Sequence, residues 1–177
     1  MTQPEVQTLF TADAVAARVD EMAGEIARAM PRQFTVVGVL TGAFVFVADL
    51  VRALDRQGAA PKIEFMRLAS YGMGTTSAGE VQVLSGLSGR FQGEPVVVVD
   101  DIQDTGRTLK VAKRILEDHG AAPIYTCALL DKPERREVDF QADLIGFTIP
   151  DVFVVGYGID WAERFRHLPY IARVAVA

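Results

Sequence analysis

The run Val96–Val99 is four consecutive valines, and it is followed at once by acids, small residues and a helical pattern. Valine on both faces of a strand is tolerated only where neither face meets water, so this segment reads as a central strand. After it, TLKVAKRILEDHG (Thr108 to Gly120) places Leu109, Ala112 and Leu116 on one side and ends on a glycine, which reads as a helix with its stop. A strand feeding directly into a helix is half of a parallel crossover unit.

The same alternation recurs along the chain. Val15, Val19, Met22 and Ile26 have helical spacing after Thr11, a suitable N-cap, and Pro31 ends that element. Phe34 to Leu40 is a buried strand broken by Thr41-Gly42, and Ala43 to Asp55 reads as a helix. Lys62 to Ala69, VQVL, IYTCALLD, ADLIGF, FVVGYG and IARVAVA supply further strands. These runs predict an α/β fold, a parallel-rich central sheet with helices on both faces, in a single domain spanning residues 1–177. From about Asp131 the helical patterns thin out, and that stretch is expected to form a small hood beside the sheet. Ser70 to Glu80 is rich in Gly, Ser and Thr and reads as a long loop; a functional flap and a plain hairpin connection are equally compatible with it.

Composition excludes several classes. A net charge of -5 argues against general nucleic-acid or anionic-membrane binding. The one cysteine, Cys127, allows no intrachain disulfide, and its apolar neighbours favour an inert core thiol. The longest uncharged stretch, Gln33 to Ala48, is shorter than the ~20 residues that spanning a membrane takes, and the N-terminus has no secretory pattern. A reducing, cytoplasmic setting is expected.

In open α/β sheets ligands sit beyond the carboxyl ends of the strands, which directs attention to DDIQDTGRT, Asp100 to Thr108. Thr105 and Thr108 hydroxyls, the Gly106 N–H and the start of the helix make a cradle for a phosphate. Neither GxxxxGK[ST] nor GxGxxG is present. Asp100 and Asp101 would lie just upstream, where carboxylates accept hydrogen bonds from hydroxyls or coordinate a hard cation such as Mg2+. Phosphate at one end and hydroxyls at the other describe a ribose 5-phosphate. Asp104 lies past that pair, where a carboxyl can take or give a proton at the anomeric substituent. The competing reading is a solvated acidic loop with an Asp N-cap.

The stretch resembles the phosphoribosyl pyrophosphate motif of the type I phosphoribosyltransferases: an apolar strand, two acids, two residues, Asp, Ser or Thr, Gly, and a hydroxyl residue one position later. LLDKPERREV (Leu129 to Val138) and IGFTIPDVFVVGYGIDWAERFRHLPYI (Ile145 to Ile171) resemble the hypoxanthine (guanine) members, as do SYG and the glycine-containing turn after the first strand. The resemblance runs from about Leu9 to Val174.

It implies transfer of a 5-phosphoribosyl group from phosphoribosyl pyrophosphate to a 6-oxopurine, with Mg2+ as cofactor. Asp100 and Asp101 would meet the ribose hydroxyls or the metal. Asp104 would be the general base or acid near N7 of the purine, and Thr105, Gly106, Arg107 and Thr108 would hold the 5-phosphate. Lys132 would donate to the 6-oxo group, Phe153 would stack on the ring and Val154 would offer backbone contacts. Asp160 would lie by the purine site near a second metal, and Thr41, Gly42 and Arg166 would meet pyrophosphate. Ser70 and Tyr71 would belong to the flap. A homodimer or homotetramer is implied as well. Two departures stand out: Thr41 replaces a basic residue before Gly42, and Asp100 replaces a more common Glu. Taken singly, Lys132 as a surface lysine, Phe153 as core, Asp160 as a turn residue and Arg166 as a helix-face charge are the competing readings. A regulator that senses the same ligands, or a binding module without turnover, would use the same fold.

Overall fold

A computed structural model describes residues 5–70, 81–85, 87 and 89–175. Tyr71 and the remainder of the expected flap lie outside the described residues; Ser70 closes a strand and pairs through its backbone with Val81.

Six strands form the main sheet. β2 (Thr35–Leu40), β3 (Lys62–Ser70), β5 (Val96–Gln103), β6 (Ile124–Asp131) and β7 (Leu144–Thr148) run parallel, and β4 (Val81–Ser85) is antiparallel on the edge, in the order β4-β3-β2-β5-β6-β7. The four valines of β5 are fully buried. Val97 and Val99 pack with α1 (Ala12–Ala29) and α2 (Phe44–Arg56) on one face, Val96 and Val98 with α3 (Arg107–Asp118) on the other. Each such burial contributes about 1.5–3 kcal/mol, which fixes this strand at the centre and its carboxyl end in space. The parallel-rich sheet with helices on both faces is therefore as the sequence predicts.

Local signals act as read. Thr11 Oγ1 accepts from the Ala14 N–H at 3.2 Å as the cap of α1, and the helix stops before Pro31. Cys127 is buried, and burial pushes its thiol up, so it stays an unreactive core residue.

Two boundaries differ. β5 does not stop at the first acid but continues through Gln103, because β6 runs beside it and pairs Ile102 with Leu130 and Gln103 with Asp131. Asp100 and Asp101 thus sit on a paired strand. The second difference concerns the hood, which is a separate antiparallel sheet, β1-β9-β8, of β1 (Val6–Phe10), β8 (Val154–Val155) and β9 (Ile171–Val174). β7, expected in the hood, belongs to the main sheet, and β1 comes from the opposite end of the chain. Phe10 stacks on Phe147 of β7 with ring centroids 4.1 Å apart, tying hood to sheet.

Candidate active site

The carboxyl ends of β2, β5 and β6 open toward the hood, and the predicted site residues gather there in two groups.

The first group surrounds Asp101. After β2 the Leu40–Thr41 peptide is cis, and the chain passes directly over the carboxylate. A β-carbon on Gly42 would stand 1.9 Å from Asp101 Oδ2, and one on Gly158 would stand 2.2 Å from the Gly42 carbonyl oxygen. Glycine at both positions is a packing requirement. Arg166 Nη1 donates to the Gly158 carbonyl at 2.9 Å, and Nη2 lies 2.8 Å from Asp160 Oδ1. Asp160 Oδ2 also accepts from the Glu163 N–H at 2.8 Å. Arg166 is therefore in a turn held against the site, and its charge acts on Asp101. Thr41 supplies no charge, but the backbone of this turn reaches the acid whatever its side chain.

Asp100 is 5% exposed. Its Oδ1 accepts from the Asp101 N–H at 3.0 Å, and Asp101 Oδ1 accepts from the Ile102 N–H at 3.0 Å. Burial raises both carboxyls above their ordinary range. Asp100 goes well up, first from burial and then from the neighbouring charge of Asp101. Asp101 rises less, since a hydrogen bond from Asp100, backbone donors and Arg166 oppose its burial. Two such neighbours titrate as a pair, and burial together with their mutual repulsion favours holding a proton between them. Among the described residues no three His, Cys, Asp or Glu side chains converge as a cation cage.

The second group is built on the turn after β5. α3 begins at Arg107 with Gly106 as its cap residue at φ +85°, a left-handed conformation natural to glycine, and no side chain caps the helix. Its first turn carries no acid, so the helix dipole there favours an anion. The Arg107 N–H donates to Thr105 Oγ1 at 3.3 Å, the Arg107 side chain meets Glu137 at 2.9 Å, and the Thr105 carbonyl accepts from the Glu137 N–H at 3.0 Å. Thr108 lies in the first turn, half-buried.

Asp104 precedes this turn. Its Oδ1 is screened from solvent and accepts no aligned hydrogen bond among the described residues, although Arg135 Nε lies 2.7 Å away. That contact is a close charge pair, which places the Asp104 carboxylate against a half-exposed guanidinium. Lys132, which follows β6, is 6% exposed, with Nζ 4.0 Å from Asp151 Oδ1. Burial pulls its ammonium below the usual lysine range, with Asp104 and Asp151 partly restoring it. A surface lysine is excluded. Phe153 is 50% exposed while Val154 is buried, so the core role falls to Val154 alone.

Two residues of this group escape sequence reasoning. Gln103 is buried, donating to the Phe140 carbonyl at 2.8 Å and accepting from the Ala142 N–H at 3.0 Å. Arg136 donates to the Asp104 carbonyl and to the Asp131 carboxylate. The only signal was the tandem arginine in KPERREV, which has no spacing rule attached to it.

Comparison with known proteins agrees with this geometry. The phosphoribosyl transferase domain model matches residues 5–161. The hypoxanthine-guanine phosphoribosyltransferase of Aquifex aeolicus is 43% identical over 172 residues, covering 96% of this chain and 95% of that protein. The hypoxanthine phosphoribosyltransferase of Escherichia coli K12 is 40% identical over 172 residues, with the same coverage of 96% and 95%. Among solved structures, a hypoxanthine-guanine phosphoribosyltransferase of Bacillus anthracis has a TM-score of 0.88 at 39% identity, covering 98% of this chain and all of that one. The Trypanosoma cruzi hypoxanthine phosphoribosyltransferase in complex with its product IMP has a TM-score of 0.88 at 35% identity, covering 97% and 95%. The chain, with its valine-rich strand, uncapped turn before α3 and antiparallel hood, belongs to the phosphoribosyltransferase family.

Proposed function

We propose that the protein transfers the 5-phosphoribosyl group of phosphoribosyl pyrophosphate to N9 of hypoxanthine or guanine, giving IMP or GMP and pyrophosphate. The observation that carries this reading is the buried Lys132 beside Asp104, next to the open N-terminus of α3. A buried ammonium has donors only, which suits a 6-oxo group and penalises the 6-amino group of adenine.

The 5-phosphate sits in the turn Thr105 to Thr108 at the helix N-terminus. Ribose hydroxyls donate to Asp101 and Asp100, and the purine lies between Lys132 and the exposed ring of Phe153, with the Val154 backbone at its edge. The N9–anomeric carbon bond forms as the bond to pyrophosphate oxygen breaks, and Asp104 moves the proton at N7. Backbone of Thr41-Gly42 and the Arg166 guanidinium face the departing pyrophosphate. The flap role of Ser70 and Tyr71 belongs to this reading.

Two adjacent carboxyls, one buried and one half-buried and both raised first by burial, fit a divalent cation, which takes one or two protein carboxylates plus phosphates. Asp100 and Asp101 would hold Mg2+, Asp160 would stand near a second ion, and the metal would neutralise charge on the leaving group. Among the described residues no helix is long and apolar enough to cross a membrane. A homodimer or homotetramer is part of the reading, and solution mass measurement tests it.

The activity test is incubation with Mg2+, phosphoribosyl pyrophosphate and hypoxanthine, guanine, xanthine or adenine, followed by nucleotide detection. Product is expected with hypoxanthine or guanine and not with adenine. Absence of product with every base overturns the reading. Asp104→Ala should lose most of kcat while phosphoribosyl pyrophosphate still binds.

A further inference from the structure

We infer that Arg136 is a positioning residue for Asp104, acting through that residue's main chain. The inference rests on the proposed role of Asp104 in moving the purine proton.

The β5–β6 ladder ends at the pair Gln103 and Asp131, and its last rung beyond them is the Lys132 N–H donating to the Gln103 carbonyl at 2.9 Å. Asp104 is the first residue past that support, so no strand partner fixes its backbone. Arg136 takes over. Its main chain turns back after the short 3-10 turn Pro133–Arg135, with the Arg136 N–H on the Pro133 carbonyl at 3.2 Å. Its guanidinium then spans the gap between the strands. Nη1 donates to the Asp104 carbonyl and more weakly to that of Gln103 at 3.4 Å, and Nη2 pairs with Asp131 Oδ1.

Both partners are shielded, with the Arg136 side chain 16% exposed and that of Asp131 7% exposed. A planar fork joined to two acceptors sets the distance between them, which a lysine point charge cannot do. The Arg136 stem also lies under the phosphate turn, since a β-carbon on Gly106 would be 3.0 Å from Arg136 Cδ. Asp131 is the residue before Lys132. One side chain therefore fixes Asp104 relative to the phosphate turn on one side and the purine donor on the other. Arg135 differs: it meets the Asp104 carboxylate itself and is half exposed.

The test is a kinetic cycle on the full chain with Arg136→Met, Arg136→Lys, Asp131→Asn, Asp104→Ala, and Arg136→Met and Asp131→Asn each combined with Asp104→Ala. Arg136→Met should lower kcat by about ten- to a hundredfold, the scale of a 1 Å misplacement, with the Kd for phosphoribosyl pyrophosphate changed far less. Arg136→Lys should not restore the rate. Added to Asp104→Ala, either Arg136→Met or Asp131→Asn should slow the enzyme by no more than about twofold, because what it positions is already gone. A solely structural role would instead multiply with Asp104→Ala. Should Arg136→Met fail to fold, Asp131→Asn makes the same comparison with Arg136 in place. A kcat within about twofold of wild type in the folded variants, or multiplicative effects, overturns the inference and leaves the reading of Asp104 standing. Unchanged kcat in Asp104→Ala alone removes both.

Discussion

Gly42 and Asp101 are packed so closely that a β-carbon on the glycine would fall 1.9 Å from the carboxylate Oδ2. Neither side can yield cheaply: Asp101 is on the central strand, and the Gly42 carbonyl is itself 2.2 Å from where a Gly158 β-carbon would be. Gly42→Ala must therefore move the turn or the acid by about an ångström, with an expected loss in kcat/KM of roughly a hundredfold and of stability by about 1–3 kcal/mol. Gly89, with nothing within 4 Å of its would-be β-carbon, is the control. Gly89→Ala should leave activity unchanged, and equal losses in the two variants would refute the steric account.

Asp100 sets a second trade-off. Its folded-state pKa lies above its unfolded value, so the stability it contributes is present below about pH 3.9 and is lost as pH rises through the folded value. Asp100→Asn removes that loss. In the absence of Mg2+ the variant should gain on wild type from about pH 4 upward and then hold a constant advantage, read as a higher Tm. Thermal unfolding across pH measures it, and a pH-independent difference would show that the carboxyl is not raised. The same variant should lose activity.

The surroundings of these two acids are only half legible in the sequence. The valines announce a strand buried on both faces, and DTGRT announces the turn into α3, because both depend on neighbours in the chain. Thr11 and Pro31 bounded α1 for the same reason. What escaped depends on distant partners. Val6–Phe10 is a strand only because Ile171–Val174 lies beside it, and β5 reaches Gln103 only because β6 accompanies it. Lys132 and Phe153 have opposite exposures that no pattern distinguishes, since each follows or begins an apolar run. Asp160 and Arg166 were named for separate ligands, and the fold joins them to each other at 2.8 Å.

Phe153 is a large aromatic that stands half in solvent and belongs to neither core cluster. On the proposed reading its surface is reserved for the purine. Stacking of a base on an aromatic ring is worth about 1–3 kcal/mol, so Phe153→Ala should raise KM for the base by roughly fivefold to over a hundredfold. Tm should move by no more than a degree or two, because the ring is not part of the core. A large drop in Tm with KM intact would return Phe153 to a structural role.

Lys132 gives the complementary pH test. Burial lowers its folded pKa beneath the unfolded value of about 10.4. Below the folded value both states hold the proton, and the buried ammonium costs stability in full. Between the two values the unfolded chain keeps a proton that the folded chain has released, so wild-type stability rises with pH relative to a neutral replacement. Lys132→Met should therefore be more stable than wild type at neutral pH, and the difference should shrink as pH approaches about 10.4. Denaturant unfolding of both proteins over that range reads it directly, whereas a difference flat in pH would mean that the ammonium is not desolvated. Activity moves the other way: with no donor left for the 6-oxo group, Lys132→Met should bind hypoxanthine and guanine poorly and lose its discrimination against adenine. On the proposed reading Lys132 costs the empty protein stability and serves recognition of one class of base, not folding.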